Sequence, residues 1–493
     1  MVEFMRNTDA FTLGMEEDAR LRSTVVSIVL LDRSPDWSVL VDRFERVVRV
    51  MPMFRQRLEP TLTPAPPRWV YDHDFALRFH MRRITAPAPG DFATVLEIAR
   101  RKDMEEFDHA RPMWEATLVD GMSDGGAAVV VKLHHSLADG IGGMQVAKIL
   151  YALEETPPAL GPLPPEPESE TLNALHWVRQ SVQYDVDQVR NFVWGAAQAA
   201  PGAVLNGVLR PMDTIRAVAS NAASVYRTVR PINETASPIM KDRSLTRELR
   251  VHQVSTSALK NAGRAADGTL NDAFLAGVTG GLRRYHAVHH AGVRELNVTM
   301  PVNIRAEGDP LGGTRITLMR FSLPVAEEDP LERIKEIHVR AGAARTEPSL
   351  PYTQAIAGGL NLLPRWYIGA ILRHVDFLAS NVPGMPVPVY LAGAKVLMQY
   401  AFGPTIGAGV NITLMSYADT CAIGINSDTG AIPDPDVFHR CLIEGFDEVL
   451  ALAQPSTGSA ERAQVPARHA TPAPRTKKKT TAARRTVTHR SPQ

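Results

Sequence analysis

The chain has 493 residues, of which 44% are hydrophobic and 22% are charged. This length exceeds one ordinary hydrophobic core and predicts two or three folded units, while the composition excludes a wholly disordered or collagen-like protein. The two cysteines, Cys421 and Cys441, imply no disulfide framework and favour a reducing compartment.

Charge is distributed unevenly along the chain. The formal net charge is +1, yet the nine Lys and Arg residues of 462–493 are accompanied by no acid. Because 456–493 is rich in Pro, Ala and Thr and poor in large apolar groups, we predict that this basic tail is disordered. It is either a solubilising tail or an electrostatic tether to anionic lipid; nucleic-acid binding is disfavoured because no folded basic face accompanies it.

The first residues favour neither secretion nor membrane insertion. The opening MVEFMRNTDAFTLGMEEDAR has several acids and no apolar core of the kind found in a secretory signal. No apolar run approaches the ~18–20 residues that span a bilayer. We therefore expect a protein that can lie on a membrane without crossing it.

Residues 1–155 alternate between strand and helix patterns. TVVSIVLL predicts a strand, and WSVLVDRFERVVRVMP predicts an amphipathic helix whose apolar stripe comprises Leu40, Phe44, Val47, Val48 and Met51. RWVYDHDFALRFHMRRI (68–84) alternates like a pair of strands, and FATVLEIARRKDMEEFD is again helical. WEATLVDGM and AAVVVKLHH predict two strands joined by the turn SDGG.

The next segment, 156–244, predicts a linker and a helical connector. It begins with the proline-rich TPPALGPLPPEPESE, and 171–229 is mostly helical in pattern. Its aromatic residues, among them Trp177 and Tyr184, either pack on the protein or lie in a lipid interface.

Residues 245–455 return to mixed helix and strand patterns. They contain strand patterns such as LRVHQVS, ELNVTMPVNIR and RITLMRFSLP, a strand-rich stretch at 386–427 and a closing helix, DVFHRCLIEGFDEVLALA. A second histidine pair, HHAGVRE (289–295), is interpreted as a helix end. We predict an α/β fold with mixed β-sheets in two units, 1–155 and 245–455, joined by 156–244 and followed by the tail 456–493.

The stretch HHSLADG (134–140) follows one of the predicted strands directly. Neighbouring side chains of an extended segment face opposite ways, so His134 and His135 cannot readily share a metal, and no zinc spacing is present. An imidazole, whose ordinary pKa is about 6.5, suits general base catalysis at neutral pH. Asp139, followed by Gly140, can brace the turn by hydrogen bonds or by pairing with an arginine. We interpret His135 as the general base that activates a substrate hydroxyl.

No enzyme nucleophile and no nucleotide-binding fingerprint stand out. The sequence has no G-x-S-x-G elbow, P-loop or dinucleotide motif, and neither cysteine has a catalytic setting. We therefore expect direct transfer from an electrophile that brings its own activation, as a thioester does, with no bound cofactor or metal.

Several motifs in a fixed order resemble the bacterial wax ester synthase/acyl-CoA:diacylglycerol acyltransferase family. They are HHSLADG, RPMWEATLVDG, TLNDAFLAGVTGGLRRY, PVNIR, SNVPGMPVPVYLAGAKV and FGPTIGAGVNITLMSY. The resemblance covers about residues 5–452, and HHxxxDG alone is shared with a wider chloramphenicol-acetyltransferase-like superfamily. The region SPIMKDRSLTREL (237–249) departs from a stretch that many members carry, so acceptor choice is open.

The resemblance implies two chloramphenicol-acetyltransferase-like, or condensation-domain-like, halves with the active site in a tunnel between them. It implies transfer of a long-chain fatty acyl group from acyl-CoA to diacylglycerol, giving triacylglycerol, or to a long-chain alcohol, giving a wax ester. His135 then matches the general base, His134 its less essential neighbour, Asp139 the bracing acid and Gly140 the turn. It further implies a cytoplasmic bacterial protein in peripheral contact with the inner face of the plasma membrane or with lipid droplets.

Other motif residues have both structural and functional interpretations. Thr269 and Asp272 fit a helix capping box, whereas Asn271 could turn its amide toward the tunnel and support the oxyanion or the histidine. Ser380 and Asn381, in SNVPGMP, lie either in a turn or in the tunnel wall. Trp114 is either core or tunnel wall, and Arg305 is a candidate partner of Asp139.

Two rival functions remain open from the sequence. One is a condensation-type acyltransferase that takes acyl groups from a carrier protein. The other is a non-catalytic lipid-binding paralogue that has kept the fold.

Overall fold

This computed structural model describes residues 3–61, 65–137, 140–158, 161–166, 177–187, 190, 234–303, 316–346, 357–358 and 374–453. Two short 3₁₀ helices, Ala19–Leu21 and Pro52–Arg55, accompany the strands and α-helices given next. The strands are β1 Glu3–Phe4, β2 Thr24–Leu31, β3 Gln56–Glu59, β4 Arg68–Tyr71, β5 Met81–Thr85, β6 Trp114–Asp120, β7 Ala127–His134, β8 Tyr151–Ala152, β9 Arg247–Ser255, β10 Glu295–Asn303, β11 Ile316–Pro324, β12 Phe377–Val382, β13 Tyr390–Leu391, β14 Ala394–Phe402, β15 Val410–Tyr417 and β16 Thr420–Asp428. The helices are α1 Asn7–Met15, α2 Trp37–Val50, α3 Leu77–His80, α4 Phe92–Met104, α5 Gly140–Leu150, α6 177–187, α7 Thr256–Ala265, α8 Leu270–Val288, α9 Pro330–Arg345 and α10 Pro435–Ala451.

Two large mixed sheets form the framework. The N-terminal sheet has the strand order β5-β6-β7-β2-β14-β13-β8, and the C-terminal sheet has the order β11-β10-β12-β15-β16-β9. A small sheet, β1-β4-β3, accompanies them. The predicted α/β class with mixed sheets is therefore confirmed.

The strongly patterned elements form as the sequence predicts. Helix α2 begins after Asp36, whose carboxylate accepts hydrogen bonds from the backbone N–H groups of Ser38 and Val39 at 2.8 and 3.1 Å. Its predicted apolar stripe is buried against the N-terminal sheet core. Strands β6 and β7 pair antiparallel across the predicted turn, and α8 ends at Val288, where the second histidine pair was predicted to end a helix.

The prediction of a strand pair over 68–84 is wrong. Strand β4 pairs with β1 and β3 in the small sheet, whereas β5 pairs parallel with β6 at the edge of the N-terminal sheet. The short helix α3 separates them and directs the chain from one sheet to the other. An alternating pattern shows that a strand has two faces but does not identify its neighbour.

Two strands of the predicted C-terminal half belong to the N-terminal sheet. Strand β14 pairs antiparallel with β2, and β13 pairs with β8. A Cβ atom built on Gly424 of β16 would overlap the backbone oxygen of Ala401 in β14, so this close approach of the two sheets requires glycine. The boundaries predicted at 155 and 244 stay predictions.

Helix α6 is the longest helical part of the predicted connector, 156–244, among its described residues. The guanidinium of Arg68 lies 4.0 Å from the ring centre of Trp177, and the ring of Tyr184 lies 4.4 Å from that of Phe4. This face of α6 therefore packs on the protein, whereas the rest of 171–229, apart from residue 190, and the basic tail lie outside the described residues. No helix within the described ranges is both long and apolar enough to cross a bilayer.

Candidate active site

An elongated cavity of about 470 Å³ lies between the two large sheets. Strands β2, β7 and β14 contribute one wall, β12 and β15 contribute the opposite wall, and α5 lies along it. Most lining residues are apolar, which suits a hydrocarbon chain. The polar side chains among them are Ser27, His135, Tyr151, Ser380, Asn381, Gln399, Tyr400, Asn411 and Thr413.

The length of this cavity follows from the number of β2 residues that separate its two ends. At one end the backbone N–H of His135 donates to the oxygen of Ser23 at 2.9 Å. At the other end Val29 of β2 is paired with Gln399 of β14, and both line the cavity. Six residues of strand between Ser23 and Val29 span about 20 Å at ~3.3 Å per residue. The cavity is therefore long and narrow, with a histidine near one end.

The two adjacent histidines have different surroundings. His135 is half-buried, follows the end of β7 and lines the cavity. His134, the last residue of β7, is fully buried, and its Nδ1 lies 2.6 Å from Ser136 Oγ. The pleat of the strand end thus presents one imidazole to the cavity and turns the other into a buried polar network.

Glu16 completes the buried network of His134. Its Oε1 lies 2.9 Å from His134 Nε2 and accepts the backbone N–H of Ser23 at 2.6 Å. Burial raises the pKa of the Glu16 carboxyl, but the hydrogen bond and the electrostatic attraction of His134 outweigh it, so the pKa lies below its ordinary value of 4.5. Since Ser23 also accepts the N–H of His135, this carboxylate holds the segment that positions the histidine pair.

Glu16→Gln is expected to destabilise the protein by about 1–3 kcal/mol at pH 7, because it removes a buried charged hydrogen-bond acceptor. A carboxyl whose folded-state pKa is depressed contributes stability that is present above pH 4.5 and is lost as the pH falls through the folded-state pKa. The difference in the free energy of unfolding between wild type and variant should therefore become smaller below pH 4.5. Urea unfolding at pH 7, 5 and 4 measures it.

The exposed neighbour Glu17 provides the matched control, Glu17→Gln, which should change stability much less. Equal stability of Glu16→Gln and wild type at pH 7 would contradict the proposed bracing network. So would a gap that widens as the pH falls.

Three further predicted residues line the same cavity as His135. Ser380 and Asn381 lie on β12, and Trp114 begins β6. Trp114 is also core, since only 1% of it is exposed and its Nε1–H donates to the oxygen of Phe54 at 2.9 Å. Trp114 therefore belongs to the core and also lines the cavity, and its role in a substrate tunnel stays a prediction.

Comparison with known proteins shows to which family the chain belongs. Residues 5–274 match the wax ester synthase/diacylglycerol acyltransferase catalytic domain, and residues 312–449 match the C-terminal domain of the same family. The chain belongs to this family. It is an acyltransferase, and the resemblance inferred from its motifs is confirmed.

Mycobacterial proteins are among the relatives. A Mycobacterium tuberculosis H37Rv protein, provisionally named a diacylglycerol O-acyltransferase, is 37% identical over 442 residues, which cover 89% of this chain and 90% of that protein. A Mycobacterium bovis protein with the same kind of name is 27% identical over 440 residues, covering 85% and 89% of the two chains.

Solved structures share the fold. The wax ester synthase/diacylglycerol acyltransferase of Marinobacter aquaeolei VT8 has a TM-score of 0.60 at 22% identity and covers 92% of this chain and 100% of its own. The starter condensation domain of rhizomide synthetase has a TM-score of 0.59 at 13% identity and covers 92% of this chain and 94% of its own. At these identities the likeness concerns the fold alone.

Asn271 and Asp272 do not join His135 in this acyltransferase. Neither lines the cavity within the described residues. Asp272 instead completes the predicted capping box with Thr269 and lies 2.8 Å from Nδ1 of His338. The carboxylate of Asp272 therefore caps the N-terminus of α8, as the sequence predicts, whereas a role of Asn271 and Asp272 in the tunnel stays a prediction.

The amide of Asn271 is buried, and neither its Oδ1 nor its Nδ2 has a hydrogen-bond partner in the described part of the chain. A role for Asn271 at the oxyanion or the histidine stays a prediction. Asp139 and Arg305 lie outside the described residues, so their pairing stays a prediction. Gly140 begins α5, directly after the motif.

The sequence motifs did not single out three polar residues that line the cavity, two on β15 and one on β14. Asn411 and Thr413 of β15 line the cavity, with Thr413 Oγ1 donating to Asn411 Oδ1 at 3.0 Å. Gln399 lines the far end, and its buried Nε2 has no partner among the described groups. The motif stretch GVNITLMSY contains Asn411 and Thr413, but only the sheet register shows that their side chains face the histidine wall.

Among the described His, Cys, Asp and Glu side chains, no group of three could hold a metal ion.

Proposed function

We propose that this protein transfers a long-chain fatty acyl group from acyl-CoA to the hydroxyl of diacylglycerol, with a long-chain alcohol as the alternative acceptor. The observation that carries the proposal is His135 at one end of an apolar cavity about 20 Å long. The cavity holds the hydrocarbon chain, and its end places the thioester carbonyl beside an imidazole. Membership of the family supports both substrates.

In the proposed reaction His135 removes the proton of the acceptor hydroxyl as the oxygen attacks the thioester carbonyl. The new C–O bond produces a tetrahedral oxyanion, which hydrogen-bond donors must stabilise. When the C–S bond breaks, the proton on His135 passes to the departing thiolate of coenzyme A. No acyl-enzyme intermediate is required. Following the family motif, Asp139 braces the histidine turn and Gly140 permits it.

We further propose that the enzyme works in the cytoplasm, bound peripherally to the inner face of the plasma membrane or to lipid droplets. Its acceptors are insoluble in water, so collection at a lipid surface spares them passage through solvent. The nine basic residues of 462–493 would add electrostatic attraction to anionic lipid. Deleting 456–493 should then reduce sedimentation with anionic vesicles.

The test is an assay of purified protein with radiolabelled palmitoyl-CoA, in which diacylglycerol and hexadecanol are offered separately. Labelled triacylglycerol supports the first acceptor, and labelled wax ester supports the second. A parallel reaction uses palmitoyl loaded on an acyl carrier protein, because a condensation domain shares the fold. Transfer only from the carrier would replace acyl-CoA as donor, and lipid binding without any transfer would contradict catalysis.

Ala147→Phe is expected to shorten the acyl chain that the enzyme prefers. Ala147 lines the cavity on α5, seven residues after the helix begins at Gly140, which places it about 10 Å along the helix axis at ~1.5 Å per residue. A phenyl ring there would obstruct the distal part of the cavity. We expect the ratio of kcat/KM for palmitoyl-CoA to that for octanoyl-CoA to fall at least about tenfold.

The smaller change Ala147→Val should produce a smaller shift in the same direction. Equal losses with both donors would show that the acyl chain does not extend along α5.

A further inference from the structure

An arginine at the edge of the C-terminal sheet has a buried nitrogen that meets no hydrogen-bond partner among the described residues. Arg320 belongs to β11, and its Nη1 is buried with no hydrogen-bond partner in the described part of the chain. Burial lowers the pKa of its guanidinium to about 10, which leaves it positively charged at neutral pH. The residue as a whole is half-buried, and among the described residues no counter-charge faces its buried nitrogen. Because a buried charged donor without a partner destabilises a fold, this nitrogen points to a ligand.

The hydroxyl of the residue opposite Arg320 likewise has no hydrogen-bond partner within the described ranges. Thr299 of β10 is directly paired with Arg320 across the antiparallel ladder. It is 3% exposed, and its buried Oγ1 makes no hydrogen bond to any described group. Directly opposed side chains in such a ladder have Cβ atoms about 4.5–5.5 Å apart. A guanidinium and a hydroxyl at that spacing can donate jointly to one anionic group.

Strand register places this pair at the margin of the acyl cavity. Thr299 is aligned with Leu378 of β12, and Leu378 is aligned with Asn411 of β15; both of these line the cavity. One step along the same face, Pro301 and Leu318 are also paired, and both line the cavity as well. Since residues i and i+2 of a strand share a face, Arg320 and Thr299 face the cavity side of the sheet.

This row of residues lies toward the histidine end of the cavity. Asn411 Nδ2 donates to the oxygen of Pro404 at 2.7 Å. Pro404 and Thr24 both line a neighbouring cavity of about 200 Å³, and Thr24 is paired with His134. The aligned residues Asn411, Leu378, Thr299 and Arg320 lie on four neighbouring strands. Three strand spacings therefore separate Asn411 from Arg320, about 14 Å at ~4.8 Å each. The unpaired cation therefore lies at the reactive end, but displaced sideways from it.

We propose that Arg320 and Thr299 form a subsite for a phosphate group of a substrate whose reacting carbonyl or hydroxyl lies at His135. The inference rests on the proposed function and adds to it the recognition of an anion. Two sources have this chemistry: coenzyme A, whose phosphates are separated from the thioester by a long arm, and a glycerolipid that carries a phosphate.

The test is calorimetric titration of wild type, Arg320→Gln and Thr299→Val with coenzyme A and, separately, with 1-palmitoyl lysophosphatidate. Loss of a charge-assisted hydrogen bond should weaken binding of the recognised ligand about 10- to 100-fold in Arg320→Gln and less in Thr299→Val. Arg320→Lys, which keeps the charge, should retain part of the affinity. These titrations need no turnover, so a subsite can be confirmed even where acyl transfer fails.

Arg340→Gln is the matched control. Arg340 also contacts β11, through the oxygen of Ser322, but its guanidinium is paired with Glu295 and Glu336. Arg340→Gln should leave the affinities for coenzyme A and for 1-palmitoyl lysophosphatidate unchanged. The ligand-free melting temperatures separate the two arginines further: Arg320→Gln should melt at or above the wild-type temperature, because it removes an unpaired buried charge.

Weakened binding of coenzyme A alone assigns the subsite to the donor, and weakened binding of lysophosphatidate alone assigns it to a phosphorylated lipid. Wild-type affinity of Arg320→Gln for both ligands would overturn the proposal. So would the absence of binding of either ligand to the wild type, or a lowered melting temperature of Arg320→Gln with unchanged affinities, since that would make Arg320 purely structural.

Discussion

His135→Ala should lower the turnover of acyl transfer by a factor of about 10²–10⁴ while leaving the fold intact, because it removes the proposed general base. The side chain lines the cavity, whereas the hydrogen bond to Ser23 is made by its backbone N–H and survives the substitution. Steady-state kinetics with palmitoyl-CoA and diacylglycerol measure kcat, and thermal unfolding shows whether the variant is folded.

A histidine outside the cavity provides the control for this substitution. His290 is exposed after α8 with a φ of 53°, a conformation that asparagine also tolerates, so His290→Asn should retain wild-type turnover. His134→Ala should lower the melting temperature more than His135→Ala does, because His134 is fully buried and contacts Glu16 and Ser136. Full turnover by a folded His135→Ala protein would refute the assignment of the base.

Gly384→Ala should destabilise the protein by at least about 1–3 kcal/mol, the usual range for an overpacked core, and lower activity with it. Gly384 lines the cavity within SNVPGMP, and a Cβ atom there would overlap the backbone oxygen of Ser416. Because the obstacle is main chain, no change of rotamer relieves it. The N–H of Gly384 also donates to Ser416 Oγ at 3.1 Å, so a shift would disturb this wall. Urea unfolding and kcat/KM for palmitoyl-CoA measure both effects.

Gly342→Ala is the matched change in α9, where an added Cβ atom meets nothing within 4 Å. Alanine is the better helix former, so Gly342→Ala should equal or exceed wild-type stability. If Gly384→Ala unfolds at the wild-type urea concentration, the close approach of the SNVPGMP segment to β15 is not needed for folding.

The sequence alone determined the elements whose patterns are strong and local. The stripe of α2, the pair β6–β7 with its Gly-rich turn and the capping box of α8 follow from periodicity and capping chemistry, and the structure contains all three. Motif order also determined the family and, with it, the acyltransferase class. In each case the information lies within a few tens of residues, where spacing along the chain fixes which side chains meet.

Tertiary structure decided everything that depends on which surfaces meet. Glu16 reaches His134 from 118 positions away, β14 leaves the C-terminal half to pair with β2, and Asn411 faces the histidine wall only because β15 lies in the opposite sheet. The strand pair expected at 68–84 failed for the same reason. A hydrophobic or alternating pattern records that a face will be buried but not its partner, because burial of apolar surface is favourable whichever surface covers it. The partners are selected only when the sheets assemble. Strand register and close approaches, such as that of Gly424 to the backbone oxygen of Ala401, then decide which surfaces fit.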